Sequence, residues 1–373
     1  MTNDCKDEPG GYLMTTATSE LDSPAAALVP HASTDYSGEF LAELEELASE
    51  VAEAMGDSLV AVLLGGRYGR CEGCMSLSTG AESACGDVNL YLVTASTRPR
   101  GMEKLPHLAR RYEHRLRISI GFSGPITPEM IDKWPAQLTW QELALGHRVL
   151  YGPANILAAR VPRHVLEPLP TVEATRLLLN SGAGLLWAAR LAGTAAQDAT
   201  LISRLYFNCA QSIADALLIG CQRFCTDPAR KQANLQEMSR FEPIVDQSGA
   251  LLHLRRTCEF RSSEQNYVIS AHHLQELSQD WQRVFLWIES VRLGLRFHNL
   301  EKYAAWPGRR EVQGGHSFFG GILANLRHRQ LGWVHPRERA CRLLAVAMSD
   351  LAGENSRFPF TGDAALEQWR LAQ

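Results

Sequence analysis

Two short runs constrain the fold of this chain more than anything else in it: Leu63-Leu64-Gly65-Gly66-Arg67-Tyr68-Gly69-Arg70, and further on Gly86-Asp87-Val88-Asn89-Leu90-Tyr91-Leu92-Val93. The first reads as an apolar strand, Leu59 to Leu64, running into paired glycines. Lacking Cβ atoms, those glycines let backbone N–H groups approach an anion closely. The second run opens a strand on an acid, and Asp87 and Asn89, two apart, project from the same face. A long loop from Arg67 to Gly86 connects the two.

The flanking periods fill in the architecture. Phe40, Leu41, Leu44, Leu47, Ala48, Val51 and Met55 keep to one face with glutamates between them, which predicts a helix from about Gly38 to Met55. Lys104 to His114 predicts another, with Pro106 in its first turn, and Leu116 to Phe122 a third strand. Thr127-Pro128-Glu129 opens a short helix, and Thr139-Trp140-Gln141-Glu142 has the spacing of a capping box. Gly146 to Pro153 reads as a turn and a short strand. Beyond the Pro-rich stretch Val161 to Pro170, Leu- and Ala-rich helical periods take over, at 171–193, 199–225, 229–240, 264–294 and 336–352. The expected fold class is α+β. A small mixed-sheet domain over 37–160 precedes an all-helical domain over 165–373, behind a disordered tail over 1–36 that lacks a sustained apolar period.

In this order the elements resemble the nucleotidyltransferase-fold superfamily, of the polymerase-beta and kanamycin-nucleotidyltransferase type, over about residues 38–153. The resemblance implies that Gly65 and Gly66 hold an NTP, with Arg67 and Arg70 meeting its phosphate oxygens. It also implies metal ions held by an acidic pair on the next strand and a third acid on a neighbouring one. Asp87 takes the first of these positions, Asn89 the second, and Ser119, in Ile118-Ser119-Ile120, the third. An amide and a hydroxyl offer oxygen without charge, whereas Mg²⁺ is anchored by carboxylates. Electrostatic stabilisation is usually the largest catalytic term. The implied protein therefore binds a nucleotide or a phosphorylated small molecule, holds Mg²⁺ or Mn²⁺ weakly or not at all, and is impaired in NMP transfer. Glu72, in Arg70-Cys71-Glu72-Gly73, and Glu82 in the long loop are the acids available as replacements. With one of them the chain would instead be an active metal-dependent nucleotidyltransferase acting on a small hydroxylated acceptor or a protein. The third reading is a non-catalytic scaffold that meets a protein partner through its helical domain.

Composition narrows the partners. With 373 residues, 45% hydrophobic and 21% charged, the chain supports two ordinary domains. A formal charge of −4 provides no whole-protein basic field, which argues against nucleic acid, and the arginine-rich run Arg98 to Arg117 reads as a solvated helix face. No membrane span is expected, since even Leu177 to Ala192 is broken by Asn180, Ser181 and Arg190. The polar start, Met1 to Gly11, lacks the apolar segment of a secretory signal, so a cytoplasmic protein with its nine cysteines reduced is expected.

The remaining reactive residues read as structural. Cys71-x-x-Cys74 with Cys85 has a spacing open to zinc or a disulfide, but no fourth ligand is near, and small loop residues are the expected role. Cys221 and Cys225 read as helical core packing, as do Leu177, Leu178, Leu185, Leu186 and Trp187. Adjacent His272 and His273 diverge on a helix, and His316 and His335 read as loop residues. Asp215, among Ile213, Ala214, Ala216 and Leu217, either holds an interdomain hydrogen bond or faces the cleft, with the structural role expected.

Overall fold

Apolar runs and alternations set the strands of the N-terminal region, and a longer period sets the helices behind them. The computed structural model describes residues 28–30, 32–76, 82–194, 198–263, 267–308, 312, 336–353 and 358–372. Its N-terminal region runs α1 (Thr34–Met55), β1 (Leu59–Gly65), α2 (Gly66–Gly69), β2 (Cys74–Ser76), β3 (Ser83–Cys85), β4 (Asp87–Thr94), α3 (Leu105–Leu116), β5 (Ser119–Ile126), α4 (Pro128–Ile131), α5 (Leu138–Leu145) and β6 (Arg148–Tyr151). Four strands form one mixed sheet in the order β5-β4-β1-β6. Strand β1 is antiparallel to β4 and β6, while β4 and β5 are parallel. Strands β2 and β3 form a separate hairpin.

Both faces of the sheet are covered. Val62, Leu64, Val88, Leu90 and Ile120 pack with Phe40, Leu44 and Leu47 of α1 and Tyr112 of α3. Ala61, Leu63 and Val93 face the other way, onto Ile131, Trp134 and Leu143. Burial on both sides explains why the first strand is an unbroken apolar run. Truncating a fully buried leucine such as Leu90 to alanine costs about 2–5 kcal/mol.

Several boundaries differ from the sequence-based expectation, each for a visible reason. Ser33 caps α1 by accepting the Tyr36 N–H, so the helix begins before Gly38. Leu28 and Val29 are buried, and the Leu28 carbonyl accepts the Gly73 N–H at 3.0 Å. Residues 28–30 and 32–36 therefore belong to the packed region, and 1–27 and 31 of the expected tail lie outside the described residues. Helix α3 runs to Leu116 and ends on Arg117 in the left-handed conformation, which delays β5 to Ser119. The expected capping box at Thr139 does not form. Helix α5 starts at Leu138, whose N–H is taken by Glu173 at 3.0 Å, and Glu142 points at Arg70 instead.

The region that follows is largely helical: α6 (Val172–Ala192), α7 (Ala199–Gly220), α8 (Pro228–Met238), α9 (Pro243–Gln247), α10 (Ala250–Ser263), α11 (Ala271–Leu293), α12 (Leu300–Ala305), α13 (Pro336–Ala352) and α14 (Phe358–Ala372). Leu178, Leu185, Ile213, Leu217, Trp281 and Phe285 lie in its core. Gly182 admits the Trp281 ring, whose indole N–H donates to the Leu178 carbonyl at 2.8 Å. Trp187, expected in this core, is 40% exposed, with the Arg190 guanidinium over its ring. Helix α7 stops at Gly220, so Cys225 is not one helical turn from Cys221 but in the connection to α8. His273 closes a capping box with Ser270 at the start of α11, and His272 is exposed. His316 and His335 lie outside the described residues. No described helix is long and apolar enough to cross a membrane.

Candidate functional site

Strand register decides which residues meet. Gly65 pairs with Asn89, Asp87 with Ser119, and Asn89 with Gly121. Residues paired across neighbouring strands share a face, so the glycine turn, Asp87, Asn89 and Ser119 converge at one end of the sheet. The two glycines serve different ends. A Cβ on Gly65 would lie 2.5 Å from the Tyr91 ring, so this glycine makes room for packing. Gly66 has φ +63 and stands beside Asn89, with only 3.2 Å between Asn89 Nδ2 and the place a Cβ would occupy. Its left-handed backbone is the one that demands glycine.

Asp87 is exposed, and its Oδ2 accepts a 2.6 Å hydrogen bond from Asn89 Nδ2. Ser119 Oγ lies 3.4 Å from Glu113 Oε1, and the same oxygen accepts the Ile120 N–H at 3.0 Å. Glu113 escaped the sequence reading because only the turn from α3 into β5 brings it back beside Ser119. The two loop acids are engaged elsewhere. Glu82 takes both the N–H and the hydroxyl of Ser33, and Glu72 pairs with Arg70. Among the described residues no group of three or more His, Cys, Asp or Glu side chains could hold a metal ion. One carboxylate already engaged by an amide, together with an amide and a hydroxyl, does not fit a two-metal centre.

The arginines after the turn divide. Arg67 reaches over the β2–β3 hairpin, its Nη1 3.7 Å from Cys74 Sγ. Cys74 and Cys85, expected to be reduced loop residues, are joined by a disulfide, because the hairpin register sets them directly opposite each other. Cys71 lies outside that disulfide, and burial pushes its pKa up. Arg70 instead turns into the seam between the two regions. Its Nε lies 3.2 Å from Glu72 Oε2 and its Nη1 3.7 Å from Glu142 Oε1. Burial pulls the Arg70 pKa down, but Glu142 and Glu72 more than restore it. Arg70 is thus already committed to carboxylates.

The far side of the seam is equally charged. Asp215 and Lys231 form a buried ion pair at 2.8 Å, and Gln211 Nε2 donates to the other Asp215 oxygen at 3.0 Å. Asp215 is therefore structural, but within the helical region and not across the two regions as expected, while its field reaches Arg70, Glu142 and Arg261. Burial raises the Glu142 pKa above the ordinary carboxylate range, with Arg70 and Lys231 opposing the rise. Arg261 on α10 donates to Asn208 Oδ1 at 3.4 Å. Burial, reinforced by Arg67, brings its pKa down to about 10. The helical period that carries it was missed, although Ala250, Leu254, Thr257 and Phe260 are buried at helical spacing. Compared with protein-family models, curated proteins and solved structures, the chain matches none.

Proposed function

We propose that this chain is a nucleotidyltransferase-like protein that binds a nucleotide or phosphorylated small molecule at the Gly65-Gly66 turn and transfers NMP poorly or not at all. The order of elements and the convergence of the turn with Asp87 and Asn89 support the reading. The observation that carries it is the Asn89-to-Asp87 hydrogen bond of 2.6 Å. Two carboxylates at that spacing repel each other and call for a cation between them. Here an amide N–H balances the single acid, so the pair is electrostatically satisfied without a metal. Phosphoryl-group chemistry depends on neutralising charge at the attacking and leaving oxygens. Arg67 supplies positive charge for a bound phosphate, but Asn89 brings no anion, and Glu113, beside Ser119, is already engaged by the Ile120 N–H.

A melting assay tests binding, and pyrophosphate release tests transfer. A ligand that binds only the folded state adds about 2.7 kcal/mol of stability at a hundredfold excess over Kd. An NTP is expected to raise Tm in the wild type, and Gly66→Val to abolish the rise while the protein stays folded. No Tm shift with any NTP, with or without Mg²⁺ or Mn²⁺, would favour a scaffold. Glu113 beside Ser119 supports the active-enzyme alternative. Strong pyrophosphate release by the wild type, lost in both Asp87→Ala and Glu113→Gln, would establish that alternative.

A further inference from the structure

Between the sheet region and the helices lies a cavity of about 1090 Å³. Small-molecule sites commonly measure roughly 300–1,000 Å³, so its size suits a ligand rather than a few waters. The sheet region contributes Arg70 and Leu145 to its wall, and the helical region contributes Leu169, Ile219, Phe224 and Arg261. Gly65, Gly66, Asp87 and Asn89 are not among its lining residues, so the cavity is not the glycine-turn site.

The charges around the cavity are unevenly compensated. Arg70 is neutralised by Glu72 and Glu142. Asp227 is occupied in capping α8, accepting the Arg230 N–H at 2.7 Å. Glu167 and Arg230 lie exposed at the rim. Arg261 is different: among the described residues it forms no ion pair, and its hydrogen bond goes to a neutral amide. It is a half-buried guanidinium in a lining that mixes Leu145, Ile219 and Phe224 with polar side chains. Such a group matches the planar oxygens of a carboxylate or phosphate in a two-pronged way.

We propose that this cavity is a second ligand site, taking a small organic anion whose apolar body lies against Leu145, Ile219 and Phe224 and whose carboxylate or phosphate is held by Arg261. Arg67 and Arg70 repel the Arg261 guanidinium while Asp215 and Glu72 attract it without an ion pair being formed among the described residues, and a bound anion would supply that direct partner. The site does not depend on the nucleotidyltransferase reading.

Octanoate and phenyl phosphate serve as probes, with octanol and inorganic phosphate as arms that lack the charge or the apolar body. Cys258 is an exposed thiol lining the cavity, so its alkylation rate, followed by peptide mass spectrometry, reports occupancy directly. At least one organic anion is expected to slow Cys258 alkylation saturably and to raise Tm, with whichever acts better identifying the headgroup. Octanol and inorganic phosphate are expected to do so far less. Arg261→Leu should weaken protection about tenfold or more, and Arg261→Lys should weaken it less. Leu145→Trp, which fills the cavity and leaves Arg261 in place, should also weaken it and keeps the test decisive if Arg261→Leu does not fold. Gly66→Val should leave protection unchanged. The proposal is overturned if neither organic anion protects at millimolar concentration, or if protection survives Leu145→Trp and Arg261→Leu. It is also overturned if Gly66→Val abolishes protection, since the two sites would then be one.

Discussion

The sheet end at Gly66 and the seam at Arg70 lie along one short run of chain, yet they handle charge in opposite ways. At the sheet end a single exposed acid, Asp87, is balanced by the amide of Asn89. At the seam Arg70, Glu72, Glu142, Asp215 and Lys231 sit half-buried or buried, with opposite charges alternating. A divalent-cation site gathers negative charge where solvent and substrate can reach it. This chain instead gathers charges of both signs where two regions of the molecule meet. Nucleotide binding and stability should therefore separate under mutation, the first following the sheet end and the second the seam.

The sharpest way to break that comparison is Asp215→Ala, which leaves the Lys231 ammonium buried without its partner. Losing one member of a buried pair costs about 3–5 kcal/mol, and a denaturant titration should show it. Adding Lys231→Met should recover much of the loss, and an Asp215→Ala protein as stable as the wild type would mean the pair holds nothing together. Next in size is reduction of the Cys74–Cys85 disulfide, whose sequence separation is 11. Closing a loop of that length contributes about 2–3 kcal/mol, so dithiothreitol should lower Tm, and Cys74→Ser should make the protein insensitive to it.

A smaller effect concerns pH. With its folded pKa raised above the ordinary 4.5, Glu142 holds its proton more tightly in the folded chain. The resulting stability is fully present below 4.5 and is lost as the pH rises through the raised folded value. Glu142→Gln should therefore gain on the wild type between pH 4.5 and neutrality, by at most about 1.4 kcal/mol for each pKa unit of the shift. A variant that instead loses ground as the pH rises would show that attraction to Arg70 outweighs burial. The smallest cost is expected at the sheet end, where Asn89→Asp with Ser119→Asp sets like charges together. It should destabilise the metal-free protein by about 1 kcal/mol or less for each like-charge pair, while calorimetry shows Mg²⁺ bound more tightly than by the wild type.

What the sequence revealed and what it hid follow from the range of the interactions involved. The strands, the left-handed Gly66 and the shared face of Asp87 and Asn89 all arise from neighbours along the chain, where period and backbone freedom are legible. Gly65 was legible as a glycine but not in its role, because the Tyr91 ring that it accommodates comes from another strand. Glu113, Glu142 and Arg261 were hidden for the same reason. Each gains its meaning from a partner that only tertiary packing supplies. The disulfide was visible as a spacing and misread, since nothing in the spacing shows that Cys74 and Cys85 face each other across a hairpin.

Glu113 has a consequence beyond the site. Strand β5 is one of the two outer strands of the four-stranded sheet, and an outer strand offers its unpaired backbone groups to any extended chain that drifts past. By accepting the Ile120 N–H, the Glu113 carboxylate occupies one of those groups next to the exposed sheet end. Farther along the same strand Pro125 has no N–H to offer. Between them the carboxylate and the proline leave little for a foreign strand to grip. The opening where a phosphate would enter is thus guarded against edge-to-edge association with other copies of the chain.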